Sequence, residues 1–287
     1  MRAYVPSYQL VSPPTLSEVL DLLSQNDGGW KPFAGGTDLM VLLEAGKLPQ
    51  NNYVNIANLK ELRGIEVSDD TVTLGALTTY TEVRAHPILR EEFPMLVQAA
   101  RETGGIAIQN RGTLGGNIVN ASPAADSPPA LLAYDAELEL ISKPGVRRIP
   151  YSRFHNAYKQ MDLRPDELLR AIRLPRMGDR FQYYRKVGTR KAQAISKVCF
   201  AGVMRIVDGR IAHLRIALGS VAPIPIRCEK TERSLHNQPL NSEAIKLGAS
   251  TMSSEIVPID DIRSTRDYRL RVSLNLLQDF LARASTS

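Results

Sequence analysis

The sequence predicts an α+β protein, and three observations carry that prediction. Thr15-Leu16-Ser17-Glu18 has capping-box spacing ahead of an apolar stripe at Leu16, Val19, Leu20 and Leu23, so a helix starts there. Val198 to Ile206 and Ile211 to Ala217 alternate around Asp208-Gly209, a strong hairpin signal. Ser242 to Met252 and Tyr268 to Ala284 return to helical character near the C-terminus.

The remaining elements follow in order. Ser12-Pro13-Pro14 ends an extended start, and Gly28-Gly29 close the first helix. Trp30 to Ala34 is a short run that leads straight into Gly35-Gly36-Thr37-Asp38. Leu39 to Ala45 is apolar and helix-prone, with Gly46 as its C-terminal cap, and Asn52 to Ala57 reads as a strand. Together these form a compact β/α unit with two glycines in its first strand-to-helix turn. Asn58-Leu59-Lys60-Glu61 reads as a short capped helix, and Ile65 to Val67 and Thr71 to Ala76 as a hairpin around Ser68-Asp69-Asp70. Thr79 and Glu82 repeat the capping-box spacing before a short helix ending near Pro87. Pro94 opens a helix through Met95, Leu96, Ala99 and Ala100 that Gly104-Gly105 stop. A loop rich in Gly, Pro, Asn and Ser then precedes strands at Leu131 to Ser142 and near Leu168 to Leu174. After Pro175 the pattern shifts to sheet plus helices, which sets a boundary near residue 176.

Composition narrows the function. The chain has 287 residues, 43% hydrophobic and 23% charged, ordinary values for a globular protein. No window approaches about 18 uninterrupted apolar residues, and MRAYVPSYQL is no secretory signal, so a cytoplasmic protein without a transmembrane segment is expected. Net charge is +6, and basic residues thicken from Arg164 to Arg190 and Lys191. No nucleic-acid-binding motif accompanies them and aromatics are 6%, so a solvated face, a subunit contact or an anionic cofactor explains them better than nucleic acid. Cys199 and Cys228 are the two cysteines, too few for an iron–sulfur cluster needing four thiolates, and Cys199 sits in an apolar run as a core residue. His86, His155, His213 and His236 are scattered, with no HExxH. GxxxxGK[ST], GxGxxG after the first strand and GxSxG are all absent.

Two Gly-Gly turns remain, Ala34-Gly35-Gly36-Thr37-Asp38 and Thr113-Leu114-Gly115-Gly116-Asn117. As structure alone, each is a tight turn needing φ > 0. As chemistry, each offers backbone N–H groups unobstructed by Cβ, with hydroxyl and amide neighbours, and the first opens a helix. Such groups bind a diphosphate without an arginine clamp. Two such turns, the second followed by an Asn/Ser/Asp-bearing loop, favour a nucleotide. The Asp38 carboxylate opposes a phosphate at its side chain, so it caps the helix or points away.

These two turns, with Phe33 and Leu39 flanking the first and Ala121-Ser122-Pro123-Ala124-Ala125-Asp126 following the second, resemble the FAD-binding medium subunit of molybdenum hydroxylases of the xanthine dehydrogenase and aerobic carbon monoxide dehydrogenase type. The similarity runs through Ala222 to Cys228 and the final helix. The resemblance implies a two-subdomain FAD-binding fold of the vanillyl-alcohol-oxidase (PCMH) type, over 1–56 and 57–175, with a C-terminal α+β domain over 176–287. It implies diphosphate loops at Lys31, Pro32, Phe33, Ala34, Gly35, Gly36, Thr37 and Asp38, and at Thr113, Leu114, Gly115, Gly116 and Asn117. It implies Asp126 as acceptor for a cofactor hydroxyl or amino group, Leu169 as an apolar contact, Lys186 as a charge near the flavin ring, and Ile195 near the ring face. Without the resemblance, Asp126 is a turn-initiating residue and Lys186 a surface lysine. One departure is that Ala107-Ile108-Gln109-Asn110 stands where many relatives have Gln-x-Arg-Asn.

The resemblance further implies an oxidoreductase subunit with no catalytic acid or base and no metal of its own. FAD on this chain would take electrons from [2Fe-2S] clusters on an iron–sulfur small subunit, fed by molybdopterin on a large subunit, within a dimer of heterotrimers. It would pass them to NAD, a quinone or oxygen. A self-contained flavin oxidoreductase and a non-catalytic nucleotide-binding assembly module are the alternatives.

Overall fold

The computed structural model describes residues 7–25, 29–190 and 193–285. Gly28 and Lys191, both used above, lie outside the described residues. The chain opens with β1 (Gln9–Val11), α1 (Leu16–Gln25), β2 (Lys31–Phe33), α2 (Leu39–Glu44) and β3 (Asn52–Asn55), the three strands pairing in parallel with β3 central. Glu18 N donates to Thr15 Oγ1 at 3.3 Å, and Leu16, Val19, Leu20 and Leu23 are buried, so the first helix forms as its cap and stripe predict. A buried cluster joins α1 to Val54, Ile56 and Leu59.

The next stretch holds β4 (Ile65–Val67), β5 (Thr71–Gly75), α3 (Tyr80–Ala85), α4 (Pro87–Glu92), α5 (Pro94–Glu102), α6 (Ile106–Arg111), α7 (Leu114–Val119), α8 (Ser127–Ala133), β6 (Glu137–Ser142), β7 (Gly145–Pro150), β8 (His155–Ala157), β9 (Gln160–Met161) and β10 (Leu168–Pro175). β4-β5-β10-β6-β7 form an antiparallel sheet, and β8-β9 a small separate hairpin. The Thr79–Glu82 capping box is complete. Three expectations need correction. Asn58 does not cap; Leu59 precedes a 3-10 turn over Lys60–Leu62 without a side-chain cap. The helix capped by Thr79 ends at Ala85, near Pro87 as expected, and Pro87 opens a further helix, as its fixed φ suits a first helical position. The glycine-rich loop contains three short helices. Leu131 to Ala133 finish α8, and only Glu137–Ser142 is strand, because an apolar run this short carries no period to separate the two.

The last third contains β11 (Phe181–Val187), β12 (Val198–Val207), β13 (Arg210–Gly219), β14 (Ile226–Arg227), α9 (Glu229–Leu235), α10 (Ser242–Glu255) and α11 (Arg266–Ala284). β11-β12-β13-β14 form an antiparallel sheet, with Asp208 (φ 49) and Gly209 (φ 70) both left-handed in the predicted β12–β13 turn. One face of this sheet packs on α11, where Phe280 lies against Phe181, Tyr183 and Phe200. The other face meets α5 and α8, so these two helices lie between the two large sheets in one buried cluster. All seven residues of α8 are buried, and its small side chains allow that close packing.

The alternation of β11 divides its roles. Gln182, Tyr184 and Lys186 point toward α5 and α8, and each finds a polar partner there: Tyr134 OH donates to Gln182 Oε1 at 2.6 Å, Tyr184 OH donates to Asp126 O at 3.1 Å, and Lys186 Nζ donates to Glu102 O at 2.8 Å. The basic stretch is largely paired internally: Arg176 with Glu92, Arg173 with Glu137 and Glu139, and Lys186 with Asp126.

Candidate cofactor site

The two glycine turns converge. β2 carries Lys31, Pro32 and Phe33 along β3, and the chain then turns through Ala34 into α2. Gly36 has φ 75, where L side chains are rare, and a Cβ there would lie 2.7 Å from the Phe33 ring. Gly35 is a close approach: its Cβ would lie 1.8 Å from the Arg111 carbonyl oxygen. The first turn therefore leans on the backbone just ahead of the second. Gly36 O and Asp38 O accept the first bonds of α2 from Met40 and Leu42, while the amides of Gly35, Gly36, Thr37 and Asp38 find no acceptor among the described residues.

The second turn differs from expectation. Thr113 is the N-cap of α7, and Gly115-Gly116 fall in the first turn of that helix. Its amides are already used: Leu114 N donates to Thr78 O at 2.9 Å, Gly115 N to Ala76 O at 2.8 Å, Gly116 N to Thr113 Oγ1 at 3.1 Å and Asn117 N to Thr113 O at 3.0 Å. Gly115 is buried, with a Cβ excluded by Ala76 at 2.7 Å. Gly116 is exposed, and a Cβ there would meet Thr113 Oγ1 alone, at 2.9 Å. The second turn thus supplies a smooth glycine surface rather than backbone donors. Asn117 Oδ1 is buried with no hydrogen-bond partner among the described residues.

Asp38 is the N-cap of α2 but makes no side-chain cap bond. Its Oδ1 instead accepts from Asn120 Nδ2 at 3.3 Å, which turns the carboxylate toward the end of α7.

The fold pairs Asp126 with Lys186. Lys186 Nζ lies 2.6 Å from Asp126 Oδ2, both side chains are nearly buried, and Ser196 Oγ donates to Asp126 Oδ1 at 2.6 Å. Burial pushes the Asp126 carboxyl above its ordinary value, opposed by the charge and hydrogen bond of Lys186 and by the Ser196 hydroxyl. Lys186 is thus neither a surface lysine nor an unpaired cation. Ile195, beside Ser196, is 55% exposed. Leu169 pairs with Leu140 at a bulge in β10 and is buried in the same cluster as Leu114 and Ile118 of α7.

Gln109 of the divergent segment is buried and inward-facing. Its Nε2 donates to Arg101 O at 3.0 Å and Thr103 O at 3.1 Å, and Arg84 donates to its Oε1. It holds the turn between α5 and α6. Ser196 and Tyr184 escaped sequence reading because their partners are 70 and 58 residues away.

These residues fit FAD. Four consecutive open amides, a glycine surface at Gly116 and the orphaned Asn117 oxygen lie on two turns, the first packed against the backbone just ahead of the second. Cys199 and Cys228 are buried, and burial raises both thiols well above their ordinary value, leaving them unreactive.

Comparison with known proteins agrees. Residues 6–177 match the family described as FAD binding domain in molybdopterin dehydrogenase, and residues 182–284 match the CO dehydrogenase flavoprotein C-terminal domain. The chain is similar to a putative xanthine dehydrogenase FAD-binding subunit of Escherichia coli K12, 33% identical over 273 residues covering 94% of this chain and 93% of the relative. It is 31% identical to the glyceraldehyde dehydrogenase medium chain of Sulfolobus acidocaldarius over 94% of this chain and 95% of the relative. A solved carbon monoxide dehydrogenase chain from Hydrogenophaga pseudoflava superposes with a TM-score of 0.93 at 28% identity, covering 99% of both chains.

Proposed function

The chain belongs to the family of FAD-binding domains of molybdopterin dehydrogenases, and from that premise we propose that it is the electron-transfer subunit of a molybdenum hydroxylase. In this reading it takes electrons from an iron–sulfur small subunit, whose own source is a molybdopterin-bearing large subunit, within a dimer of heterotrimers. The acceptor is external: NAD, a quinone or oxygen. The relatives named as medium chains or FAD-binding subunits support membership of such a complex.

One observation carries the cofactor reading: the open amides of Gly35 to Asp38 are held against the backbone that leads into Gly116. Bound FAD supplies the redox chemistry. The residues bind and orient. Gly35, Gly36 and Thr37 donate to a diphosphate, Gly116 lets it approach, and Asn117 contributes the amide whose oxygen lacks a partner. Asp126, Lys186 and Ser196 fix the stretch that carries Ile195. Lys186 contributes through its ion pair, so its charge is largely compensated.

The visible absorption spectrum of the purified chain after FAD reconstitution tests this. Flavin bands at one equivalent per chain are expected; a folded chain without them ends the proposal.

A further inference from the structure

The alternation that gives Gln182, Tyr184 and Lys186 their polar partners runs back to Arg180, just ahead of β11, which is served differently. Arg180 makes no ion pair among the described residues, and its buried Nε has no hydrogen-bond partner there. Its Nη1 lies 3.0 Å from His213 Nδ1 and 2.9 Å from His213 Nε2. Burial, then Arg180 and Arg215, push the His213 imidazole down to about 4, so the ring is neutral at pH 7 and compensates no charge. Cross-strand partners share a face, and Arg205 stands opposite His213, with Arg215 opposite Val203 on the same two strands. Arg205 is exposed and makes no ion pair among the described residues. Arg215 pairs with Asp135, just past α8, and Arg227 with Asp135 and Glu232. The Asp179 carboxylate, beside Arg180 in sequence, is exposed and pairs with none of them. Four guanidinium groups thus share two carboxylates, which leaves two positive charges uncompensated. Burial, then Arg205 and Arg215, hold the Arg180 guanidinium below its ordinary value.

We propose that Arg180, Arg205 and Arg215, grouped about the His213 ring, form a binding site for a phosphate-type oxyanion. The site stands on the C-terminal sheet and uses none of the glycine-turn residues, so it goes beyond the FAD reading. Folding holds a half-buried guanidinium among like charges, and an anion there converts that repulsion into attraction. The charge count selects the ligand. A phosphate carries about −1.5 to −2 at pH 7 and balances both uncompensated charges, whereas a single carboxylate balances one. Guanidinium forks donate in parallel to the oxygens of such a group. The three arginines stand on neighbouring strands, spaced about 4.8 Å apart, which suits one compact ligand better than an extended acidic chain. Two sources share that chemistry: free inorganic phosphate, and the phosphoryl group of a sugar phosphate.

The test is calorimetric titration of the full-length chain with sodium phosphate, against sodium chloride at matched ionic strength. Excess FAD is present throughout, to keep phosphate from the glycine turns. Wild type, Arg180→Met and Arg205→Gln are compared. Each substitution should weaken phosphate about tenfold or more, the loss expected for one charged hydrogen bond. In phosphate-free buffer Arg180→Met should melt at a higher temperature than wild type, because an uncompensated cation is gone. A structural role alone would lower that temperature and leave phosphate binding unchanged. Ribose 5-phosphate separates the sources: binding tighter than inorganic phosphate assigns the site to a sugar phosphate, and equal or weaker binding assigns it to the free ion. Absence of phosphate binding by wild type beyond the chloride control, or equal binding by all three chains, overturns the proposal. So does binding of polyglutamate without binding of phosphate, which would make the row a protein-docking face.

Discussion

The two glycine turns look alike in sequence and work by opposite means. The first keeps its amides open and has its shape fixed by a left-handed Gly36 and by Gly35 against Arg111 O. The second gives every amide from Leu114 to Asn117 to its own fold and leaves a bare glycine face at Gly116. A Gly-Gly pair thus serves either to free donors or to remove bulk, and neighbouring acceptors decide which. Ala76 O, Thr78 O and the Thr113 hydroxyl are within reach of the second turn, while the amides of Gly35 to Asp38 have no such neighbours among the described residues.

The comparison breaks most severely at Gly35. A side chain there meets backbone that cannot swing aside, so Gly35→Val should push the turns apart. We expect a loss of about 3 kcal/mol, the upper end for overpacking, together with loss of FAD; urea denaturation midpoints and flavin content measure both. Gly116→Val sharpens the contrast. Its Cβ meets only the Thr113 hydroxyl, so the expected stability cost is about 1 kcal/mol, that of a disturbed N-cap, while FAD retention is abolished. A Gly116→Val chain that keeps stoichiometric FAD would falsify the placement of the site. The smallest effect is one of pH. Burial holds the His155 imidazole below its ordinary value of 6.5, opposed by its bond to Ile118 O. The unfolded chain therefore takes up this proton first: the histidine's contribution is fully present above about pH 6.5 and is lost as pH falls below it. His155→Gln should flatten that part of the stability profile, read as the difference in melting temperature from wild type between pH 7.5 and 5.5.

Much of this was legible because local chemistry dictated it. The side-chain cap at Thr15, the capping box at Thr79, Pro94 at a first helical turn and the Asp208-Gly209 hairpin each combine a stereochemical need with the residue that meets it. The candidate site was legible as two glycine turns, which the fold brings close together. The short helices were not. In α7 a Gly-Gly pair follows the cap and imitates a turn, and α6 is six residues long, below the span over which a helical period can be counted. The partnership of Asp126 with Lys186 spans 60 residues, and no local pattern encodes it.

The alternation of β11 bears on the order in which the chain is made. Asp126, Tyr134 and the carbonyls of Glu92 and Glu102 precede Gln182, Tyr184 and Lys186, so synthesis from the N-terminus produces the partner surface before the strand that needs it. A C-terminal third released without that surface would carry three polar side chains on a face built to be covered. Expressed alone it would lack its template, whereas the N-terminal portion would be missing only its cover.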